Sequence, residues 1–262
     1  MSPVSTEEAT EPEVLVEQRG RILIITINRP KAKNAVNSAV AHGLADAVDK
    51  LDGDPGLSVG IVTGAGGTFC AGMDLKAFAR GEVPIVEGRG MGFTERGPVK
   101  PLIAAVEGYA LAGGTELALA TDLIVASKDA SFGIPEVKRG LVAGGGGLIR
   151  LPRAIPRAVA MQMLLTGDPI GASQAAALGL VGEVVPHGQA RTRALGVAGR
   201  IAANPTGAVQ ATKRLVTETE TLALAQAFRA QRATIDEIFI SEEARAGTAR
   251  FVADPRADPA GG

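Results

Sequence analysis

The sequence predicts an α/β protein in which strand–helix units fill the first three quarters and helices alone the last. Two observations carry this reading. Short apolar, β-branched runs such as ILIITI (22–27), VGIVTG (59–64) and PLIAAV (101–106) each end at glycine, proline or asparagine turns and alternate with helical patterns. From about Ala190 onwards only helical patterns remain: QARTRALGVAGRIAA, PTGAVQATKRLVTET, LALAQAFRAQRATIDEIF and SEEARAGTARFVA.

Taken in order, VLVEQRGRILIITINRP reads as two strands around Gly20. Asn37 caps a helix whose apolar face is Ala41, Leu44, Val48 and Leu51, ended by DGDPG. LSVGIVTGAGG is a buried strand with a glycine turn, and FCAGMDL leads into a short helix over Leu75 to Phe78. The segment Ala79 to Pro98 has no period, and a loop of that length in a compact domain is functional or mobile. VKPLIAAVEG is a strand, and GYALAGGTELALA (108–120) reads as the helix after it. DLIVAS and ASFG are short strands. Helices follow around Leu148 and over PRAVAMQMLLTG, and SQAAALGLVGEVV gives a helix and a strand.

Composition excludes several classes of function. The 262 residues carry 27 basic and 28 acidic side chains, a formal charge of −1, so there is no basic footprint for nucleic acid. One cysteine, Cys70, permits neither an intrachain disulfide nor a cysteine metal cage. His42 and His187 lack the spacing of a zinc site, so no metal is expected. The acidic N-terminus MSPVSTEEATEPE (1–13) has no apolar core and reads as a disordered tail, not a signal peptide. The run PLIAAVEGYALAGG is interrupted well short of the roughly 20 residues a membrane span needs. A soluble cytoplasmic protein without membrane partners is the expectation.

Several motifs could carry chemistry. TGAGGTFCAG lacks the third glycine of a dinucleotide fingerprint, where Phe69 stands, so Gly64 to Gly67 read as a tight turn. Gly72 allows close backbone approach to a ligand ahead of the helix opened by Asp74 and Leu75. Gly113 and Gly114 also open a helix after a strand, and first-turn N–H groups suit a developing oxyanion. Close strand–helix packing explains these glycines equally well. Glu116 is one charge in a run apolar on every side; such a helix is buried, and a buried carboxylate needs a partner. With Gly113 as N-cap it falls at N3, so a capping role competes evenly with catalysis. Glu136, after ASFGIP and before the glycines of VKRGLVAGGGG, tips that balance, although a surface turn beside Lys138 and Arg139 is its alternative. Two carboxyls in one dry pocket perturb each other, leaving an acid and a base able to add or remove water across a double bond. Cys70, His42, His187, Glu107 and Asp122 read as packing or surface groups.

At this point the chain resembles a known family. NRPKAKNAVN, GTFCAGMDL, KPLIAAVEGYALAGGTELALATDLIVAS, ASFGIPEVKRGL and GLVGEVV, in this order from about Val14 to Phe251, are similar to the enoyl-CoA hydratase, or crotonase, superfamily. The resemblance implies a spiral of ββα turns over 14–195, a C-terminal helical trimerisation region over 196–254 and a frayed tail over 255–262. It implies a homotrimer or a dimer of trimers. It places the thioester oxygen on the N–H groups of Met73 and Gly113, and CoA along Ala32, Lys33, Ala71, Gly72, Asp74, Leu75 and Lys76. Glu116 then deprotonates the water that attacks C3, Glu136 protonates C2, and the Gly144 N–H helps to hold the water. The reaction is reversible syn hydration of a 2-enoyl-CoA. CoA is part of the substrate, and no separate cofactor or metal is implied. Isomerases of the family generally keep only the second glutamate, which favours a hydratase here. Isomerisation, dehydration of a specialised hydroxyacyl-CoA and non-catalytic acyl-CoA binding are the alternatives. AGGGGLIR stands where many hydratases have PGAGGTQR; Ala143, Leu148 and Ile149 are the departures, and they bear on the substrate.

Overall fold

The computed structural model describes residues 11–253. Of the tail expected over 1–13, residues 1–10 lie outside the described residues, as does the tail expected over 255–262. Glu13 is bound to the body of the protein, accepting from Asn28 N–H (2.7 Å) and Asn37 Nδ2 (2.8 Å) and pairing with Arg29. A six-stranded sheet forms the centre. Strands β1 (Val14–Arg19) and β2 (Ile22–Ile27) make an antiparallel hairpin, turned at Gly20 with φ +56°. The remaining strands β3 (Val59–Gly64), β4 (Leu102–Val106), β6 (Leu123–Ser127) and β9 (Glu183–Val185) add in parallel, giving the order β1-β2-β3-β4-β6-β9. A smaller sheet holds β5 (Tyr109–Leu111), β7 (Ser131–Gly133) and β8 (Ile170–Gly171) in the order β5-β7-β8. In two successive units one strand enters the large sheet and the next enters the small one: β4 with β5, then β6 with β7.

Parallel strands need cover on both faces, and the period of two divides their side chains accordingly. Val59 and Ile61 of β3 and Ile103 and Ala105 of β4 face α7 (Ala190–Ala203), which buries Ala190, Ala194, Val197 and Ala198 against them. Val62, Leu102, Ala104 and Val106 face the opposite core, shared with α1 (Ser38–Gly53). Asn37 caps α1 as its sequence predicts: its side chain accepts the Val40 N–H at 2.9 Å, and Val40, Ala41, Leu44, Val48 and Leu51 are buried. The helix after β3 is α2 (Leu75–Ala79). Helices α4 (Gly147–Ala154) and α5 (Arg157–Thr166) lie between β7 and β8, α6 (Ala172–Ala177) follows β8, and α8 (Thr206–Thr219), α9 (Leu224–Phe239) and α10 (Glu242–Ala253) end the described chain.

Two local expectations are corrected. Tyr109, Ala110 and Leu111 form a strand rather than the start of a helix, because Gly108 at φ +56° turns the chain and sends it alongside Ser131–Gly133. Only α3 (Gly113–Leu119) is helical in that motif; a short apolar run does not by itself distinguish the two states. The segment from Ala79 to Pro98 is irregular but tied to the core. Phe93 and Thr94 are buried, Glu82 caps the Ser38 N–H at 2.7 Å, and a Cβ at Gly92 would lie 2.6 Å from Leu44 of α1.

Candidate active site

The segment 69–74 runs between two others and is stitched to both. On one side Ala71 N–H donates to Lys33 O (3.0 Å), Val36 N–H to Gly72 O (2.8 Å) and Asp74 N–H to Val36 O (2.8 Å). On the other, Cys70 N–H donates to Tyr109 O (2.9 Å) and Leu111 N–H to Cys70 O (3.0 Å). The two glycine corners of the sequence therefore meet. Gly72 has φ +102°, and a Cβ there would lie 2.9 Å from Leu111 O and 3.2 Å from Gly113 N. Among the described residues neither the Met73 N–H nor the Gly113 N–H donates to a backbone acceptor. Two N–H groups without partners beside one another can accept one oxygen bearing negative charge.

Residues 29–36 form the outer rim. A 3₁₀ turn, Pro30–Ala32, leads to Lys33 and Asn34, both left-handed at φ +51° and +56°. Asn34 is fully buried and holds this shape: its Nδ2 donates to Ala65 O (2.8 Å) and Thr68 O (2.5 Å), and its Oδ1 accepts from Arg29 N (2.9 Å). The Lys33 ammonium lies 5.4 Å from the centre of the Tyr109 ring. Asp74 has its carboxylate committed within the protein. Oδ1 caps the Lys76 and Ala77 N–H groups at 3.0 and 3.1 Å, and Oδ2 pairs with Arg29 at 3.0 Å. Leu75 and Lys76 are exposed on α2 beside it.

Glu116 does not cap its own helix. Ala112, at φ +52°, is the N-cap of α3, so Glu116 stands one position beyond N3. Its carboxylate is 2% exposed, and Oε1 accepts Gly145 N–H at 2.7 Å and Gly147 N–H at 2.9 Å. Both bonds fall on Oε1 and leave Oε2 for another ligand. Burial pushes the Glu116 pKa up, while those two N–H groups and the Arg150 charge pull against the rise. Glu136 opens a 3₁₀ turn, Glu136–Arg139. Its Oε2 is buried without a hydrogen-bond partner among the described residues. Burial pushes the Glu136 pKa up, and the charge of Glu116 adds to the rise. The two segments touch through Ile134, since a Cβ at Gly147 would lie 2.6 Å from Ile134 Cδ1 and 3.0 Å from Glu116 Cγ. Thr115 locks them together: its Oγ1 lies 2.6 Å from Ala110 O and 2.8 Å from Gly133 O and accepts Gly133 N–H at 3.0 Å.

The structure thus brings Met73 next to Gly113, and Glu116 within electrostatic reach of Glu136. Gly144 is exposed and, with Gly145 and Gly146, lines a cavity of about 860 Å³ shared with Thr94, Arg96 and Arg150; neither glutamate is among the residues that line it. Three contributors escaped the sequence reading. Gly145 and Gly147 supply the donors to Glu116, and only the glycine run in VAGGGGLIR hinted at them. Met91 comes from the irregular segment; its Sδ and Cε lie 2.9 Å from where a Gly113 Cβ would stand, and its Cε 2.4 Å from a Gly145 Cβ. Nothing in the surrounding sequence marks it.

Comparison with known proteins adds to this geometry. The family model described as Enoyl-CoA hydratase/isomerase matches residues 17–257. The chain is 44% identical over 255 residues to enoyl-CoA hydratase EchA19 of Mycobacterium tuberculosis, covering 92% of this chain and 93% of that protein. It is 38% identical over 242 residues to the carnitinyl-CoA dehydratase of Proteus mirabilis, covering 89% and 92%. The crystal structure of enoyl-CoA hydratase EchA1 from Mycobacterium marinum superposes with a TM-score of 0.91 at 65% identity, over 93% of this chain and 96% of that one. The overall fold is thus shared, and the chain belongs to the enoyl-CoA hydratase/isomerase family.

Proposed function

We propose that the protein catalyses reversible syn hydration of a 2-enoyl-CoA thioester to a 3-hydroxyacyl-CoA. One observation carries the proposal: Glu116, buried and held through Oε1 by two glycine N–H groups, lies within electrostatic reach of Glu136, whose Oε2 is buried without a partner among the described residues. The carboxyls are unequally served. Glu116 has two N–H donors and a cation nearby, which favour its charged form. Glu136 has an unpartnered buried oxygen and a like charge beside it, which favour its protonated form. Glu116 is then the base that takes a proton from water as the oxygen attacks C3. Glu136 is the acid that delivers a proton to C2. Charge developing on the thioester oxygen is met by the N–H groups of Met73 and Gly113. CoA runs along Ala32, Lys33 and the stretch from Ala71 to Lys76, with Asp74 acting through its cap and Arg29 pair. The exposed Gly144 N–H, one residue from the donors to Glu116, contributes to holding the water.

Dehydration uses the same groups in reverse, and the similarity to a carnitinyl-CoA dehydratase makes a specialised hydroxyacyl-CoA the second reading. Helices α9 and α10 bury none of their residues, and Leu224, Phe228, Phe239, Ile240 and Phe251 stand exposed on or beside them. These apolar faces support assembly into a homotrimer or a dimer of trimers. The deciding experiment assays trans-2-enoyl-CoAs of several lengths, and 3-hydroxyacyl-CoAs, with the native protein, Glu116→Gln and Glu136→Gln. Each substitution is expected to lower kcat by about 10²–10⁴-fold. Full activity in both variants refutes the mechanism, and deuterium exchange at C2 and C4 without water incorporation selects isomerisation.

A further inference from the structure

We propose that Arg150 is the positioning residue for Glu116, acting from the far side of the glycine loop that the carboxylate hangs on. The inference rests on Glu116 being the base. Arg150 stands in the first turn of α4, its N–H donating to Gly146 O at 2.9 Å. Its side chain folds back over the loop, and Nη1 donates to Gly145 O at 3.4 Å. Gly146 has φ +96°, a backbone shape that residues with a side chain rarely adopt, and a Cβ there would lie 2.2 Å from Nη1, so a larger residue would strain the turn and push the guanidinium aside. The loop is therefore held from both sides. Gly145 gives its N–H to Glu116 and its carbonyl to Arg150, and Gly147 gives a second N–H to the same carboxylate oxygen.

The charge acts alongside the geometry. An arginine stays ionised under all physiological conditions, so a fixed cation sits behind a carboxylate that burial drives toward neutrality. Burial works against the charge on Arg150 and lowers its pKa, Glu116 and Glu220 favour that charge, and Arg153 opposes it. Glu95, Arg96, Asp122 and Lys213 face the same cavity from neighbouring elements. On the other side the charge of Glu116 acts on Glu136: burial, first, and then that charge push the Glu136 pKa up, while its own backbone N–H and Arg139 pull against the rise. Arg150 thereby favours the charged form of one glutamate and leaves the other to its unfavourable surroundings.

The test combines two readouts on Arg150→Gln and Arg150→Lys. Carboxyl-labelled glutamate NMR follows the titration of Glu116, assigned with Glu116→Gln, and steady-state kinetics with a trans-2-enoyl-CoA follow turnover against pH. In Arg150→Gln the Glu116 midpoint and the acid limb of kcat are expected to move to higher pH. kcat falls about tenfold while KM stays within about twofold. Arg150→Lys restores the midpoint toward native but not kcat, because the ammonium lacks the planar fork that reaches the carbonyl. An unchanged midpoint and native kcat in Arg150→Gln overturn the proposal. If Arg150→Gln fails to fold by circular dichroism, native kcat in Arg150→Lys overturns it. A native protein that hydrates no enoyl-CoA refutes the hydratase reading instead, and the NMR midpoints still decide the role of Arg150.

Discussion

Gly145→Ala adds one methyl group between Glu116 and Met91. The alanine retains the N–H that donates to Glu116 at 2.7 Å, so any effect comes from volume alone. The new Cβ would lie 2.7 Å from Glu116 Oε2 and 2.4 Å from Met91 Cε, where ordinary contact begins at 3.4 Å. The carboxylate must then retreat by about 3.4 − 2.7 = 0.7 Å, and the Met91 methyl by about 3.4 − 2.4 = 1.0 Å. Methionine is flexible and yields readily. Glu116 is less free, because Gly147 N–H also holds its Oε1 at 2.9 Å. A misplacement approaching 1 Å lowers kcat by up to about 10²-fold, or about 2.7 kcal/mol in activation free energy. Overpacking is expected to remove about 1–3 kcal/mol of stability. The assay is loss of the enoyl-thioester absorbance under saturating substrate, with thermal unfolding run in parallel. Gly199→Ala is the control: Gly199 lies inside α7 with open space where its Cβ would stand. There alanine is expected to add about 0.5–1 kcal/mol of stability, with kcat unchanged. A Gly145→Ala enzyme with kcat within about twofold of native refutes the claim that this loop fixes the carboxylate.

Two further outcomes are expected. Folding raises the Glu136 pKa above its ordinary 4.5, so its neutral form stabilises the native state below that pH, and the contribution is lost as pH rises through the folded value. Glu136→Gln therefore unfolds at a higher temperature than the native protein at pH 7, the difference shrinking toward pH 4.5; a lower or equal Tm at pH 7 contradicts the burial argument. Burial pushes the Cys70 thiol up to about 12, and its Sγ accepts Gly72 N–H at 3.4 Å. The native protein is expected not to react with a thiol reagent at pH 8, whereas denatured protein releases one equivalent, and rapid native labelling contradicts this.

The sequence already contained the class of fold because its inner strands β2, β3 and β4 are buried on both faces and its first two helices are capped by Asn37 and Asp74. Asn37, Gly20 and the run from Ile22 to Ile27 are local signals, and each is read locally. Tyr109 to Leu111 were misread because a three-residue strand is set by its partner at Ser131–Gly133, some 20 positions away. Glu116 was conspicuous as a lone charge among apolar residues, but its real partners were not. The capping alternative assumed Gly113 as N-cap; the positive φ of Ala112 moved the boundary by one residue and freed the carboxylate for Gly145 and Gly147. Met91 could not be foreseen at all. It enters the site from a segment without period, carried there by the burial of Phe93 and the close approach of Gly92 to α1.

What the fold supplies, on the proposed function, is a difference between two side chains that are chemically identical. A buried carboxyl left alone becomes neutral, and two together cannot both stay charged at low energy. Here one stands on a helix that points it at the amides of a glycine loop, and the other stands on a 3₁₀ turn with an oxygen facing no donor among the described residues. The asymmetry comes first from backbone amides, with the Arg150 charge behind them. It follows that glycines at 145 and 147 define the chemistry as much as the glutamates do. A Cβ at either would lie 2.7 or 3.1 Å from a carboxylate oxygen of Glu116, closer than ordinary van der Waals contact. A larger residue at either position therefore keeps the amide but displaces the group it serves.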